Sequence, residues 1–131
     1  MGATREQSPA ILIVVDDDQA VLEALKFAFE VDGYSVQPYS DGESLLKEET
    51  FPDMACLVVD YKLPRLNGLQ IIDRLRRRGV TLPAVLITTP TPGVLASAKA
   101  AGVPVVGKPL LTTALIDTVR RLLAAEGPAS A

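Results

Sequence analysis

Three short apolar runs each end in a side chain that carries an acid or a hydroxyl. Ile11-Leu12-Ile13-Val14-Val15 runs into Asp16-Asp17, Cys56-Leu57-Val58-Val59 into Asp60, and Ala84-Val85-Leu86-Ile87 into Thr88. A fourth run, Val103-Pro104-Val105-Val106-Gly107, is followed by Lys108-Pro109. If these runs are parallel strands of one sheet, their carboxyl ends share one edge, where open α/β sheets bind their ligands. Acids, hydroxyl and amine then converge from four distant parts of the chain.

Helical patterns separate the runs. Val21, Leu22, Leu25, Ala28 and Phe29 recur at helical spacing, and Gly33 stands where a left-handed cap would end the helix. Tyr34 to Pro38 predicts a weaker strand at a sheet edge, where proline is tolerated, and a short helix is expected from about Asp41 to Glu48. A third helix should turn Leu69, Ile72 and Leu75 inward and stop at Gly79. Its last turns hold Arg74, Arg76, Arg77 and Arg78, a solvated cluster that suits the negative end of the helix dipole. No aromatic residues interleave with these arginines, as a nucleic-acid surface would require. Pro90, Pro92 and Gly93 precede a thin helical stripe of Val94, Leu95 and Ala98. The last helix, about Thr113 to Ala125, carries Leu115, Ile116, Val119, Leu122 and Leu123 on one face. Five strand-helix units in strict alternation predict a mainly parallel sheet with right-handed crossovers, an α/β doubly wound sandwich with helices on both faces. Residues 1–9 are expected to be a flexible lead, 10–126 the domain, and 127–131 a tail or the start of a linker.

At 131 residues the chain is the size of one domain, and 48% hydrophobic residues, 22% charged residues and a net charge of -3 describe a globular protein without affinity for nucleic acid. No apolar stretch approaches the ~20 residues of a membrane helix, so a cytoplasmic location is expected. The single cysteine, Cys56, sits in an apolar run and is best explained as a core residue. Without histidine, imidazole bases and zinc sites are excluded. The remaining chemistry belongs to carboxylates, hydroxyls and lysine.

Asp16, Asp17 and Asp60, gathered in one pocket, would repel one another unless a cation entered, and magnesium suits oxygen ligands beside a phosphate. One acid is then free to act as a nucleophile toward a phosphoryl group whose charge the metal and Lys108 neutralise. Asp60 stands alone at its strand end and suits that role, whereas Asp16 and Asp17 form a pair suited to metal. Thr88 can donate to a phosphoryl oxygen. Asp18 is better explained as an N-cap of the first helix than as part of the site.

In order and spacing, Asp16-Asp17, the segment Asp60-Tyr61-Lys62-Leu63-Pro64 with Asn67-Gly68, Thr88 and Lys108-Pro109 resemble a bacterial response regulator receiver domain, from Ile11 to about Ala125. The resemblance implies a flavodoxin-like sheet in the order 2-1-3-4-5. It also implies that a sensor histidine kinase transfers a phosphoryl group to Asp60, with Mg2+ held by Asp17, Asp60 and the Lys62 backbone carbonyl, and by Asp16 through water. A cis peptide before Pro109, inward movement of Thr88 on phosphorylation, and an output face of helix 4, strand 5 and helix 5 complete the inherited scheme. That face would bind a downstream protein or effector domain, or a second copy in a homodimer. Such a chain catalyses only its own phosphorylation and dephosphorylation, and is otherwise not an enzyme. Either a stand-alone regulator, which is favoured, or a receiver cut from a longer protein fits the Gly127-Pro128-Ala129-Ser130 ending.

Two positions depart from the resemblance. Val105 replaces the aromatic residue that the family usually carries three positions before the lysine, and Thr89 replaces a small residue beside the acyl phosphate, which predicts slowed hydrolysis. The Lys62 ammonium can also reach the pocket. Three other readings compete: a pseudo-receiver that binds its partner constitutively, a haloacid-dehalogenase-type phosphohydrolase with Asp16 as nucleophile, and a P-loop at Gly102 to Lys108. The second lacks its usual continuation and a later acidic pair. The third has Pro109 in place of the metal-binding hydroxyl.

Overall fold

The computed structural model describes residues 10–108 and 112–126. The elements in chain order are β1 (Ile11–Val15), α1 (Gln19–Val31), β2 (Ser35–Tyr39), α2 (Gly42–Leu46), β3 (Ala55–Asp60), α3 (Gly68–Arg77), β4 (Ala84–Thr88), α4 (Pro92–Ala101), β5 (Val105–Gly107) and α5 (Thr112–Glu126). The five strands form one parallel sheet in the order β2-β1-β3-β4-β5. The expected doubly wound architecture is the observed one.

The pleat explains why the central strands read as unbroken apolar runs. Ile13, Val15, Leu57, Val59 and Leu86 face a cluster with Leu45, Ile71, Ile72, Leu75 and Ala98 of α2, α3 and α4. Leu12, Val14, Cys56, Val58, Val85 and Ile87 face Leu22, Leu25, Phe29, Leu115 and Val119 of α1 and α5. With a helix layer on each side, no position of these central strands is polar until the strand ends. Burial pushes the Cys56 thiol up to about 12, so it is an inert core residue.

Several element boundaries differ from expectation. β2 is the edge strand, but Pro38 is exposed and the strand starts at Ser35 and ends at Tyr39. Helix α2 spans Gly42–Leu46: Asp41 is its N-cap, accepting from the Ser44 amide at 2.7 Å, and Lys47 is already its C-cap. In α3 the buried face is Gly68, Ile71, Ile72 and Leu75, while Leu69 is half-buried. Pro92 and Gly93 belong to α4, since Thr91 caps the helix and proline fits its first position. Leu95 points outward, with 46% of its surface exposed. β5 begins at Val105, although Leu86 still donates to the Pro104 carbonyl at 2.9 Å.

The arginines of α3 are less free than a solvated cluster implies. Arg78 donates to the carbonyls of Leu46 and Glu48 at 2.9 and 2.6 Å and lies over the Phe51 ring at 5.7 Å. Arg76 donates to the Val80 carbonyl, and Arg77 pairs with Asp73. Arg78 thereby ties the α2–β3 connection to the end of α3. Residues 1–9, Pro109 and residues 127–131 lie outside the described residues, so the expected flexible lead, cis peptide and tail do too.

Candidate acidic site at the sheet edge

Strand parity decides which side chains meet at the carboxyl edge. On β1 and β3, even-numbered residues face α1 and α5, so Asp16 and Asp60 emerge on that side, and Lys108 continues the same parity from Val106. Asp16 and Asp60 are 0% and 3% exposed. The Lys108 Nζ lies 3.3 Å from Asp60 Oδ1 and 3.8 Å from Asp16 Oδ2. Its backbone is fixed by a 2.8 Å bond from its amide to the Thr88 carbonyl. Carboxylate oxygens of Asp16, Asp17 and Asp60 lie within 4.8 Å of one another.

The acidic pair divides in role as well as in place. Asp17 is exposed, beyond the end of the strand, whereas Asp16 is buried and its Oδ1 accepts from the Asp18 amide at 2.9 Å. Asp18 is the N-cap of α1, accepting from Ala20 and Val21 at 2.9 and 3.3 Å. Asp16 Oδ2 has no hydrogen-bond partner. The Lys108 amine at 3.8 Å faces it across a gap too long for a hydrogen bond, and a buried carboxylate oxygen without a hydrogen bond is costly unless a closer cation or bound water meets it. The donor set therefore fits a hard divalent cation.

Burial pushes the Asp16 carboxyl above its ordinary value, against the pull of the Asp18 amide and the Lys108 amine. Asp60 is raised by burial and then by the charge of Asp16, with Lys108 opposing. A carboxyl whose folded pKa is raised binds more protons in the native state than in the unfolded state. Its penalty is absent below the ordinary value of 3.8 and complete above the raised one, so this contribution to stability falls as pH rises. Asp41 and Glu43, held below their ordinary values by a backbone hydrogen bond and by Arg65, have the opposite dependence. Without divalent cation, Asp16→Asn should unfold at a higher temperature than the native chain at pH 7, and the gap should close as pH approaches 4; thermal melts across that range check it.

Thr88 is brought to the edge but not into the acid cluster. It is buried, its parity is that of Leu86 on the opposite face, and its hydroxyl donates to the Thr89 carbonyl at 3.3 Å. Thr89 and Lys62 are exposed. Val105 is half-buried and packs with the α2–α4 cluster. Sequence reasoning gave Gly68 no role of its own, yet it lies so close to β3 that a Cβ would stand 2.5 Å from the Asp60 carbonyl oxygen and 2.8 Å from Leu86 Cδ1. Its amide donates to the Tyr61 carbonyl at 2.9 Å, and Asn67 and Gln70 close a capping box over the same turn. Gly68→Ala should cost about 1–3 kcal/mol in denaturant unfolding, because backbone rather than a flexible side chain blocks the added methyl.

The family model of the response regulator receiver domain matches residues 12–120. The response regulator MprA of Mycolicibacterium vanbaalenii is 38% identical over 80 residues, which is 61% of this chain and 35% of that protein. The alkaline phosphatase synthesis transcriptional regulatory protein PhoP of Bacillus subtilis is 32% identical over 77 residues, 59% of this chain and 32% of that protein. These alignments span about a third of the length of those relatives. Among solved structures, a putative response regulator from Chloroflexus aurantiacus superimposes with a TM-score of 0.80 at 30% identity, covering 88% of this chain and 98% of that one. A CheY-like receiver domain protein from Methanospirillum hungatei has a TM-score of 0.81 and covers 91% of this chain and 97% of that one. At 24% identity its likeness is one of fold. With a receiver match across nearly the whole described domain and an acid cluster at the expected sheet edge, the chain belongs to the response regulator receiver domain family of two-component signalling.

Proposed function

We propose that the chain receives a signal as a phosphoryl group on Asp60, transferred from the phosphohistidine of a sensor kinase. The observation that carries this reading is the placement of Lys108 Nζ 3.3 Å from Asp60 Oδ1 and 3.8 Å from Asp16 Oδ2, an oxygen with no hydrogen-bond partner. A carboxylate oxygen of Asp60 attacks phosphorus and a P–O bond forms. The P–N bond of the donor breaks, and the imidazole leaves with the bonding electron pair. The ammonium of Lys108 offsets charge on the phosphoryl oxygens. Asp17, Asp60 and the Lys62 backbone carbonyl would hold Mg2+, with Asp16 acting through water. The ion would supply charge neutralisation at the same oxygens.

The hydroxyl of Thr88 starts on the opposite side of the sheet edge, on the Thr89 carbonyl, a weak 3.3 Å bond that a charged phosphoryl oxygen can outcompete if the side chain turns over the edge toward Asp60. Its turning would move the β4–α4 connection and alter the face made by α4, β5 and α5, which would meet a downstream protein, an effector domain or a second copy. The chain is thus a substrate and switch rather than a turnover catalyst. Among the described residues no helix is long and apolar enough to cross a membrane, in keeping with action beside a kinase in the cytoplasm.

The test is intact-mass measurement after incubation with a small acyl phosphate. One phosphoryl group should be gained in Mg2+ and none when the metal is chelated. No adduct in either condition would overturn the proposal in favour of constitutive partner binding, the reading that Val105 in place of an aromatic relay favours. Thr89→Ala should shorten the lifetime of the adduct, measured by its decay after the donor is removed.

A further inference from the structure

Among the described residues, Arg65 is the one residue other than glycine with a left-handed backbone, at φ 68°. The Leu66 amide donates across it to the Pro64 carbonyl at 2.7 Å. The reversal is therefore a γ-turn centred on Arg65, and its positive φ makes it the rare, strained form. Arginine has no short polar side chain to ease that conformation, as asparagine has, nor the freedom of glycine.

A long-range contact holds the turn from outside. Arg65 Nη1 donates to Glu43 Oε2 at 2.9 Å, from a residue 22 positions away in the first turn of α2. The anchor is itself fixed. Gly42, beside Glu43, packs so tightly on α3 that a Cβ there would overlap Cδ1 of Ile71. Three residues before Ile71, Gly68 abuts the Asp60 carbonyl. The loop from Tyr61 to Asn67 is thus closed at its base by the Gly68–Tyr61 hydrogen bond and gripped at its tip by α2.

We infer that the Glu43–Arg65 ion pair is a latch that holds the acceptor loop in its strained reversal, so that these two surface side chains position the Lys62 backbone beside Asp60. Neither residue touches the reacting atoms. Both act through the backbone between them and the acceptor. The inference rests on the acceptor role proposed for Asp60 in what it says of metal and phosphoryl uptake, but the latch itself is a property of the loop.

The test uses three variants of the full chain: Glu43→Ala, Arg65→Ala and Arg65→Gly. Amide hydrogen exchange of the metal-free protein should be faster at Leu66 in Glu43→Ala and in Arg65→Ala by about two- to fivefold, the scale of a lost exposed ion pair. Mg2+ binding, followed as the rise in thermal midpoint with MgCl2 concentration, should weaken by about the same factor in both. Arg65→Gly also lacks the guanidinium but adopts the turn without strain, so it should keep native exchange and Mg2+ affinity. Glu43→Ala should have no effect when made in the Arg65→Gly background. Equal impairment of Arg65→Gly and Arg65→Ala would overturn the latch, as would a Glu43→Ala protein with native exchange. Because exchange requires neither metal nor phosphodonor, the latch and the acceptor reading fail separately.

Discussion

An Asp60→Asn protein should take up phosphoryl groups from a small acyl phosphate at least about 10³-fold more slowly than the native chain, which in an intact-mass measurement means no visible adduct. An amide oxygen is a poor nucleophile, and the neighbouring acids are not placed to substitute. Asp16 has Oδ1 committed to the Asp18 amide and Oδ2 farther from Lys108 than Asp60 Oδ1 is. Asp17 is exposed, where water competes for the phosphoryl group. The variant should nevertheless be well folded, because removing one of two buried carboxylates relieves the burial cost, and then the repulsion from Asp16, that raise Asp60. Loss of the adduct together with a higher thermal midpoint in metal-free buffer separates chemistry from collapse. An undiminished adduct would transfer the nucleophile to Asp16, as the phosphohydrolase reading requires.

What could be seen from the sequence follows from how local the cause is. The central strands β1, β3 and β4 were legible because two helix layers force four or five consecutive apolar residues, and a run ends where the sheet edge meets solvent. Asp18 was legible because a cap depends on the next three residues alone. The convergence of Asp16, Asp60 and Lys108 follows from strand order plus pleat parity. Thr88 shows the limit of that reasoning: its strand end was visible, but parity puts it across the sheet from the acids and its hydroxyl on its neighbour's carbonyl. Leu69 and Ile71 illustrate another limit, since a helical stripe is wide enough for its centre to move by one residue when docked on a sheet. Gly68 against the Asp60 carbonyl and Arg65 against Glu43 were invisible for a third reason. Each depends on two elements meeting through space at a separation that no local pattern records.

Replacing Lys108 with methionine should separate two properties that its ammonium now couples. In the metal-free site two buried carboxylates share one amine, which stands 3.3 Å from one and 3.8 Å from the other. A divalent cation must compete with that amine for the same oxygens. Lys108→Met therefore should bind Mg2+ more tightly wherever the carboxylates are ionised, an advantage that grows as pH rises, as a larger rise in thermal midpoint at low MgCl2 would show. Phosphoryl uptake at saturating Mg2+ should fall by about 10²- to 10³-fold, because a positioned cation that stabilises the transferring group has been lost. Without metal, the variant should show a steeper loss of stability as pH rises, since Asp16 and Asp60 then ionise with no amine to offset them. Methionine retains most of the aliphatic length, so packing is a small part of these effects. Tighter metal with slower transfer is the signature of an amine that acts on the phosphoryl group. If metal affinity and rate fell together, the lysine would instead be holding the acids in place for the metal.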